Sequence, residues 1–553
     1  MNTSLTSIAA IQPPTIEREV TATPRPIVWI VAFVAAGANL LCLAGSRLWV
    51  YPDSIDYIQL AGGLADRFDV TQELFLIRTP AYPFLLAAIF SLFGSASPVA
   101  ILLLQHGMAV ATAVLAAAIA WHMSGRRTAA LLTGVMSASS LQILAYANLV
   151  LTETPYALTL LACVYFLVRF LREHHLRLLA WGSLAAGLSY LFRPVGLHLV
   201  GACLFAAAWL GASSRVERNP LRSRPGSRQA LRYVCATIAP AILVIAPWSI
   251  TNSIVNGGVE AARCLDYVFY LRAATFDGLD STTSEAMADI HGVLDEARQR
   301  GVIPADASYR DRGTVIKAYQ AVRGSTFAEC SEIMGRAGRD LMREHPWEIA
   351  VGTLRYSMWM LQSPDPVYRF QPGGASGVGG KRDGSADIYD IATYSRGPGS
   401  WEPVLRARER YLPLETGRPA AAGVWTAVNR WFYRHVDAAG PVGGILDSRY
   451  EQFIALCAIG AVLTLFCRDR AAWLLIALVI AGQVGVSALL SGPQTRYALP
   501  VRPLLFLYFA LLITAAMDVL RRALARRLRP AARSGSSSEW QAAETVRTAP
   551  AGS

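Results

Sequence analysis

Long apolar runs dominate this sequence, and they restrict what it can fold into more than any other feature. A helix that crosses the hydrocarbon core of a bilayer needs about 17–25 predominantly apolar residues. Only 16% of the residues are charged, whereas a soluble protein carries about 25%. The pattern predicts an all-α polytopic membrane protein with about 10 transmembrane helices. The predicted spans are 27–46, 98–121, 129–147, 155–171, 176–192, 195–213, 233–250, 446–467, 471–490 and 498–518.

One further apolar run, residues 81–93, is too short to be a span. At 1.5 Å per residue it reaches about 20 Å, less than the roughly 30 Å of a bilayer core. We interpret it as a juxtamembrane or re-entrant helix. The arginine-rich loops then all fall on one side of the membrane, which the positive-inside rule makes cytoplasmic. The first loop and the long polar region 251–445 consequently lie outside the cytoplasm.

These observations divide the chain into five parts. Residues 1–26 form a cytoplasmic segment, followed by a first span that is retained rather than cleaved as a signal peptide. Residues 27–250 form an N-terminal transmembrane module with an acid-rich external loop at 47–80, and residues 251–445 form a mainly α extracytoplasmic domain. Residues 446–520 hold the last spans, and residues 521–553 form a basic, disordered cytoplasmic tail.

Two stretches of the external region, residues 346–361 and 424–436, mix Trp and Tyr with apolar residues and a few charges. This composition is typical of helices in the headgroup layer. Ordinary amphipathic helices of the external domain are the alternative interpretation.

Several functional classes find no support in the sequence. The net charge of +12 comes from arginines that cluster in short loops between apolar runs. This position indicates that they orient the helices in the membrane, so we predict no nucleic-acid partner. No CxxC pair, Walker loop, GxSxG or HExxH motif occurs. The acids Asp383, Asp387 and Asp390 fit no calcium-loop spacing, so a divalent cation is left open but not indicated, and we predict no cofactor. Cys264 and Cys330 are the two cysteines of the external region, where the compartment would allow a disulfide.

Six ionisable residues are expected to share the extracytoplasmic surface, because each lies at the end of an apolar run. They are Asp53, Asp56, Arg78, Glu153, Arg193 and Arg496. An arginine fork is suited to phosphate, and a carboxylate can remove a proton from a nearby hydroxyl. Asp53 and Asp56 stand three residues apart, a spacing that places both on one face of a helix.

The motifs around these residues resemble those of GT-C glycosyltransferases. "PDSIDYIQLA" and "RTPAYPFLLAAIFSLFG" are similar to the start and end of the first external loop in that family, and "NLVLTETPYAL" to the second. "GLSYLFRPVGL", "APWSITN" and "TRYALPVRPLL" follow in the same order. The resemblance covers about 1–260 and 445–520, and the bacterial enzymes concerned are similar to protein mannosyltransferases and aminoarabinose transferases.

The resemblance implies a GT-C-like bundle whose catalytic loop is 47–80. It implies an inverting transfer from a polyprenyl-phosphate sugar, with Asp53 as the base and Arg78 at the lipid-linked phosphate. Asp56 and Glu153 are further catalytic candidates, and the substrate-binding candidates are Arg193, Arg496 and Tyr57. Each has a plainer alternative: a solvated loop carboxylate, a helix-capping role for Glu153, a snorkelling arginine, or packing for Tyr57.

On this interpretation the partners are a lipid-linked sugar donor, a glycan, lipid or protein acceptor, and the inner cell membrane, with the site facing outward. Two other functions remain open at this level. One is a transporter or flippase of lipid-linked glycans, although the predicted spans are nearly free of charge, unlike those of transporters. The other is a non-catalytic membrane assembly protein of the same fold.

Overall fold

A computed structural model describes residues 23–45, 48, 52–216, 227–256, 265–362, 407, 410–412, 443–464, 469–491 and 495–528. The elements of these ranges are helices, which confirms the all-α prediction. Several predictions concern residues outside them: the segment before residue 23, the acids at 383–390, the stretch 424–436, Cys264 and the tail beyond residue 528.

Ten described helices precede the polar region 251–445 or begin it. They are α1 (Arg25–Gly45), α2 (Pro52–Arg67), α3 (Ala81–Phe93), α4 (Ser97–Ser124), α5 (Arg127–Ala138), α6 (Leu141–Tyr146), α7 (Glu153–Glu173), α8 (Leu176–Phe192), α9 (His198–Val216) and α10 (Ser227–Asn256). The described part of the polar region contains α11 (Leu265–Tyr270), a π-helical turn (Leu271–Phe276), α12 (Glu285–Gln299), α13 (Arg312–Arg323), α14 (Phe327–Glu344) and α15 (Pro346–Gln362). The C-terminal helices are α16 (Gly443–Thr464), α17 (Arg470–Ser491) and α18 (Arg502–Leu528).

Seven stretches of described helix are long and apolar enough to cross a bilayer, as a polytopic membrane protein requires. They are Arg25–Ala44, Ala81–Ser124, Glu153–Glu173, Pro194–Ala212, Gln229–Val255, Arg470–Leu490 and Arg496–Ala525. Two shorter apolar helices, Leu176–Phe192 and Phe453–Thr464, correspond to further predicted spans.

The prediction of one continuous span at 129–147 is wrong, because the chain divides there into α5 and α6. Ser137 and Ser139 donate back to the carbonyls of Thr133 and Val135, each at 2.8 Å. Such bonds compete with the helix ladder and bend helices. Ser140 then leaves the helical region, with φ −66° and ψ 108°, before α6 begins.

The helix α3 has the bounds that its apolar run predicts. It ends at Gly94, whose φ of 52° is accessible to glycine at little cost. A short 3₁₀ turn, Gly94–Ala96, then leads into α4. The placement of α3 beside rather than across the bilayer stays a prediction.

The segment 47–80, predicted to be an external loop, contains more regular structure than its composition indicates. The 16-residue helix α2 occupies much of it and buries Ile55, Ile58 and Leu60. Asp53 lies in its first turn, where the positive end of the helix dipole favours a carboxylate. The acids lower the mean hydropathy of this stretch, and this is why the sequence alone suggested a loop.

The helices α11–α15 form a separate apolar core, and one buried arginine joins it to the apolar helix α17. Arg272, in the π-helical turn, donates from Nε to the carbonyl of Ala488 on α17 at 2.8 Å. Its Nη2 donates to the carbonyl of Ile349 on α15 at 3.2 Å. Cys330, the described cysteine of the pair for which the sequence would allow a disulfide, is a free, buried thiol, and Cys264 lies outside the described residues.

Candidate active site

Six charged side chains from five separate segments meet where helices begin or end. Asp53 and Asp56 come from α2, and Arg78 from the turn before α3. Glu153 is the first residue of α7, and Arg193 directly follows α8. Arg496 lies in the 3₁₀ segment Thr495–Val501 before α18. The structure thus brings together all six ionisable residues that the sequence singled out.

Arg78 holds the two aspartates of α2 together. Its Nη2 lies 2.7 Å from Asp53 Oδ1 and 2.9 Å from Asp56 Oδ2, and its Nε donates to the same Asp56 oxygen at 3.0 Å. Asp53 and Asp56 are therefore on one helical face, as their spacing predicts. A guanidinium that holds two carboxylates is also suited to a phosphate, because its planar fork presents parallel N–H donors to two oxygens.

The network continues on the other side of Asp53. Arg496 Nη2 lies 2.6 Å from Asp53 Oδ2, and its Nε lies 3.8 Å from Glu153 Oε1. Arg193 Nη1 approaches the same Glu153 oxygen at 2.7 Å. The order is Asp56–Arg78–Asp53–Arg496–Glu153–Arg193. The three carboxylates and three guanidiniums alternate, so their formal charges sum to zero.

The three carboxylates differ in access. The side chain of Asp53 is 26% exposed, whereas that of Asp56 is 7% exposed and that of Glu153 is 2% exposed. Burial alone would raise the pKa of Asp53, but Arg78 and Arg496 outweigh it and hold that pKa far below its ordinary range. Asp53 is therefore ionised at neutral pH and is the carboxylate that a substrate can best reach.

Glu153 faces the arginines. Of its two carboxylate oxygens, Oε1 contacts Arg193 and Arg496. The other, Oε2, is buried and makes no hydrogen bond within the ranges that the structure describes. A buried oxygen without a donor is costly, so this position favours a ligand or water that supplies one.

Tyrosine rings line the arginines. The Arg78 guanidinium carbon lies 5.3 Å from the ring centroid of Tyr57, and Tyr57 packs edge-on against Tyr82. The Arg193 guanidinium carbon lies 4.7 Å from the Tyr497 ring and 6.0 Å from the Tyr156 ring. Cation–π contacts of this kind restrict the planes of the guanidinium groups. Tyr57 thus packs under Arg78 and helps to orient it.

Two further features anchor the arginine-bearing turns. Thr79 Oγ1 donates to the carbonyl of Phe192 at 2.7 Å, which joins the turn after Arg78 to the residue before Arg193. The turn after Arg193 packs closely on α8. A Cβ on Gly196 would lie 2.6 Å from the carbonyl carbon of Ser189, a distance that side chains do not tolerate.

Sequence reasoning missed Tyr497, Tyr156 and Thr79 as parts of this arrangement. A signal was present for two of them, because Thr79 and Tyr497 directly follow the arginines in "RTP" and "TRYALP". Tyr156 has no such signal, since it lies within an apolar helix. Within the described ranges, no three His, Cys, Asp or Glu side chains are grouped so that they could hold a metal.

Comparison with known proteins gives one result that bears on this geometry. Residues 78–250 match the family model of dolichyl-phosphate-mannose-protein mannosyltransferases. The matched stretch includes Arg78, Glu153 and Arg193, whereas Asp53 and Arg496 lie outside it. The match supports a GT-C glycosyltransferase and confirms the resemblance found in the sequence motifs. No curated protein matches the chain.

Proposed function

We propose that this protein is a membrane glycosyltransferase of the GT-C type that transfers a sugar from a polyprenyl-phosphate donor to an acceptor hydroxyl outside the cytoplasm, with inversion at the anomeric carbon. The observation that carries the proposal is the alternating network of three arginines and three carboxylates at the helix ends. A phosphate can use the guanidinium donors that now hold carboxylates. One of those carboxylates can then accept a proton.

In this mechanism Asp53 is the general base. The acceptor oxygen gives its proton to Asp53 and forms a bond to the anomeric carbon. The bond from that carbon to the phosphate oxygen breaks, and its electron pair leaves with the polyprenyl phosphate. Arg78 stabilises the negative charge that develops on this phosphate. Asp53 suits the role because its side chain is the most exposed of the three carboxylates.

The two arginines on Asp53 also make it a weak base before the donor binds, because general-base strength falls with pKa. The donor phosphate competes with Asp53 for Arg78 and Arg496. Each arginine that leaves Asp53 for the phosphate raises the pKa of Asp53, and this makes Asp53 a stronger base. The base therefore becomes effective when the leaving group is in place.

The remaining residues hold this arrangement. Asp56 is buried and shares Arg78 with Asp53, so it keeps the guanidinium plane fixed when Asp53 is released. Glu153 holds Arg193 and Arg496 in a deeper position. Arg193 and Arg496 provide further positive charge for the phosphate, and Tyr57 supports Arg78 from below.

A transfer assay tests the proposal directly. Purified protein in lipid vesicles is given a panel of polyprenyl-phosphate sugars that carry a label in the sugar, together with membrane lipids, glycans and peptides as acceptors. We expect the release of polyprenyl phosphate and a labelled product whose anomeric configuration is opposite to that of the donor. Movement of intact donor across the vesicle membrane without cleavage would indicate a flippase instead. If the donor is neither cleaved nor moved across the membrane, the result would favour an assembly protein.

The sidedness of the site is tested separately, in a background without native cysteines. Ala305→Cys lies in the external domain and Ala523→Cys near the end of α18, and both positions are exposed. An impermeant maleimide should label Ala305→Cys in spheroplasts and should label Ala523→Cys only after lysis, because the basic end of α18 is expected in the cytoplasm. The reverse pattern would place the site on the cytoplasmic side.

A further inference from the structure

We propose that Gln483 is a positioning residue for the ion network, so that the proton transfer and phosphate binding at the site depend on its side-chain amide. This inference rests on the proposed function. It adds a residue from α17, a helix that contributes none of the six charged groups.

Gln483 lies within an apolar helix that is long enough to cross a bilayer, and its side chain is buried. Polar groups at such positions are costly and are often functional. Its Oε1 accepts a hydrogen bond from the hydroxyl of Tyr156 at 2.5 Å. Its Nε2 donates to the carbonyl of Tyr497 at 2.9 Å and makes a long contact of 3.5 Å to Ser487 Oγ. The amide thus joins α7 to the 3₁₀ segment Thr495–Val501.

Both partners of the amide stand next to the network. Tyr156 follows Glu153 by less than one helical turn, and Tyr497 directly follows Arg496. The rings of both tyrosines contact the Arg193 guanidinium, and the Tyr497 ring also contacts that of Arg496 at 5.4 Å. A shift of either tyrosine would therefore move a charged group of the site.

The same part of α17 packs against the turn after Arg193. A Cβ on Gly482 would lie 2.8 Å from Cδ2 of His198, the first residue of α9, so a larger residue would displace the imidazole ring. His198 Nδ1 in turn contacts the carbonyl of Val195 at 2.7 Å. One stretch of α17 therefore contacts the three segments that carry Glu153, Arg193 and Arg496, and Gln483 is its polar link to two of them.

The chemistry of the amide determines which substitutions are informative. A glutamine accepts from Tyr156 and donates to Tyr497 at the same time. Gln483→Glu keeps the acceptor but loses the donor, and Gln483→Leu loses both while keeping a side chain of similar size. Tyr156→Phe removes the bond to α7 alone. If Gln483 sets positions, Gln483→Leu should impair transfer most, and Tyr156→Phe should have a smaller effect.

We expect Gln483→Leu to lower kcat on the order of 10- to 100-fold, because small displacements of catalytic groups have effects of this size. The thermal unfolding temperature should also fall, because the buried Tyr156 hydroxyl loses its acceptor, so kcat is compared at a temperature where both proteins are folded. Thr514→Val is the matched control. It removes a buried hydroxyl from α18 that donates within its own helix, to the carbonyl of Leu511, and it should leave kcat unchanged.

A double-mutant cycle with Arg496→Lys gives a result that a purely structural role would not produce. If Gln483 acts through Arg496, Gln483→Leu should cost much less activity in the Arg496→Lys background than in the wild type. The inference would be overturned if the activity losses of the two single variants add in the double variant, or if Gln483→Leu keeps the wild-type kcat. In either case, sugar transfer by the wild-type protein would still support the proposed function. If the wild-type protein transfers no sugar from any donor, the proposed function fails and the inference fails with it.

Discussion

Asp53→Asn should lower the rate of sugar transfer roughly 10²- to 10⁴-fold, the range expected for the loss of a general base. The substitution keeps the size and polarity of the side chain but removes the oxygen that takes the proton. It also removes the carboxylate that competes with the donor for Arg78 and Arg496. We therefore expect donor affinity to stay the same or to increase while turnover falls.

The measurement is a single-turnover transfer assay on purified variants, with donor binding measured separately. Asp66→Asn is the matched control, because Asp66 lies on the same helix and pairs with Arg410 at 2.8 Å, away from the network. It should transfer at the wild-type rate. Near wild-type turnover for Asp53→Asn would exclude Asp53 as the base, and Glu153 or Asp56 would take its place in the mechanism.

Arg78→Lys should weaken donor binding as well as turnover, since the phosphate is present in both the ground state and the transition state. Arg78 now contacts two carboxylates through Nε and Nη2. A lysine keeps the positive charge but has a single nitrogen and loses this fork. A hydrogen bond to a charged group contributes about 1.5–3 kcal/mol, so we expect donor affinity to fall about 10- to 150-fold.

Arg78→Ala should have the larger effect of the two substitutions, because the charge is lost as well. It also removes the shared partner of Asp53 and Asp56, so thermal unfolding must be measured alongside binding. Arg67→Lys and Arg67→Ala serve as controls, since Arg67 is highly exposed on α2 and lies 3.8 Å from Asp69. Unchanged donor affinity in both Arg78 variants would show that the phosphate binds elsewhere.

The candidate residues could be predicted from the sequence because each is a charged residue at the end of an apolar run. The interiors of these runs contain few charges. Their roles could not be assigned in the same way. A solvated loop, a helix cap and a catalytic base require the same residue types at these positions. The ion pairs distinguish these roles in part. Glu153 contacts two arginines, and Arg78 and Arg193 contact carboxylates, so these side chains are not simply solvated.

Residues that act inside the helices had weaker signals. Gln483 is one polar residue in an apolar run, and its spacing from Tyr156 or Tyr497 in the sequence indicates nothing. The break at Ser139 and Ser140 was missed for a similar reason. Hydropathy averages over a window and does not report that serines bond back to the preceding turn. The spacing of Asp53 and Asp56 indicated a helical face, but the extent of α2 was missed because its acids interrupt the apolar pattern.

The sequence by itself determined that the chain is a helical membrane protein, because lipid offers no partners for backbone groups and each span must satisfy its own. That constraint is local, so it can be read from one stretch at a time. Only the tertiary structure decided that Asp53 meets Arg496, which lies 443 positions further along the chain. It also decided which carboxylate remains accessible. Both outcomes depend on how distant helix ends pack together, and no local pattern contains that information.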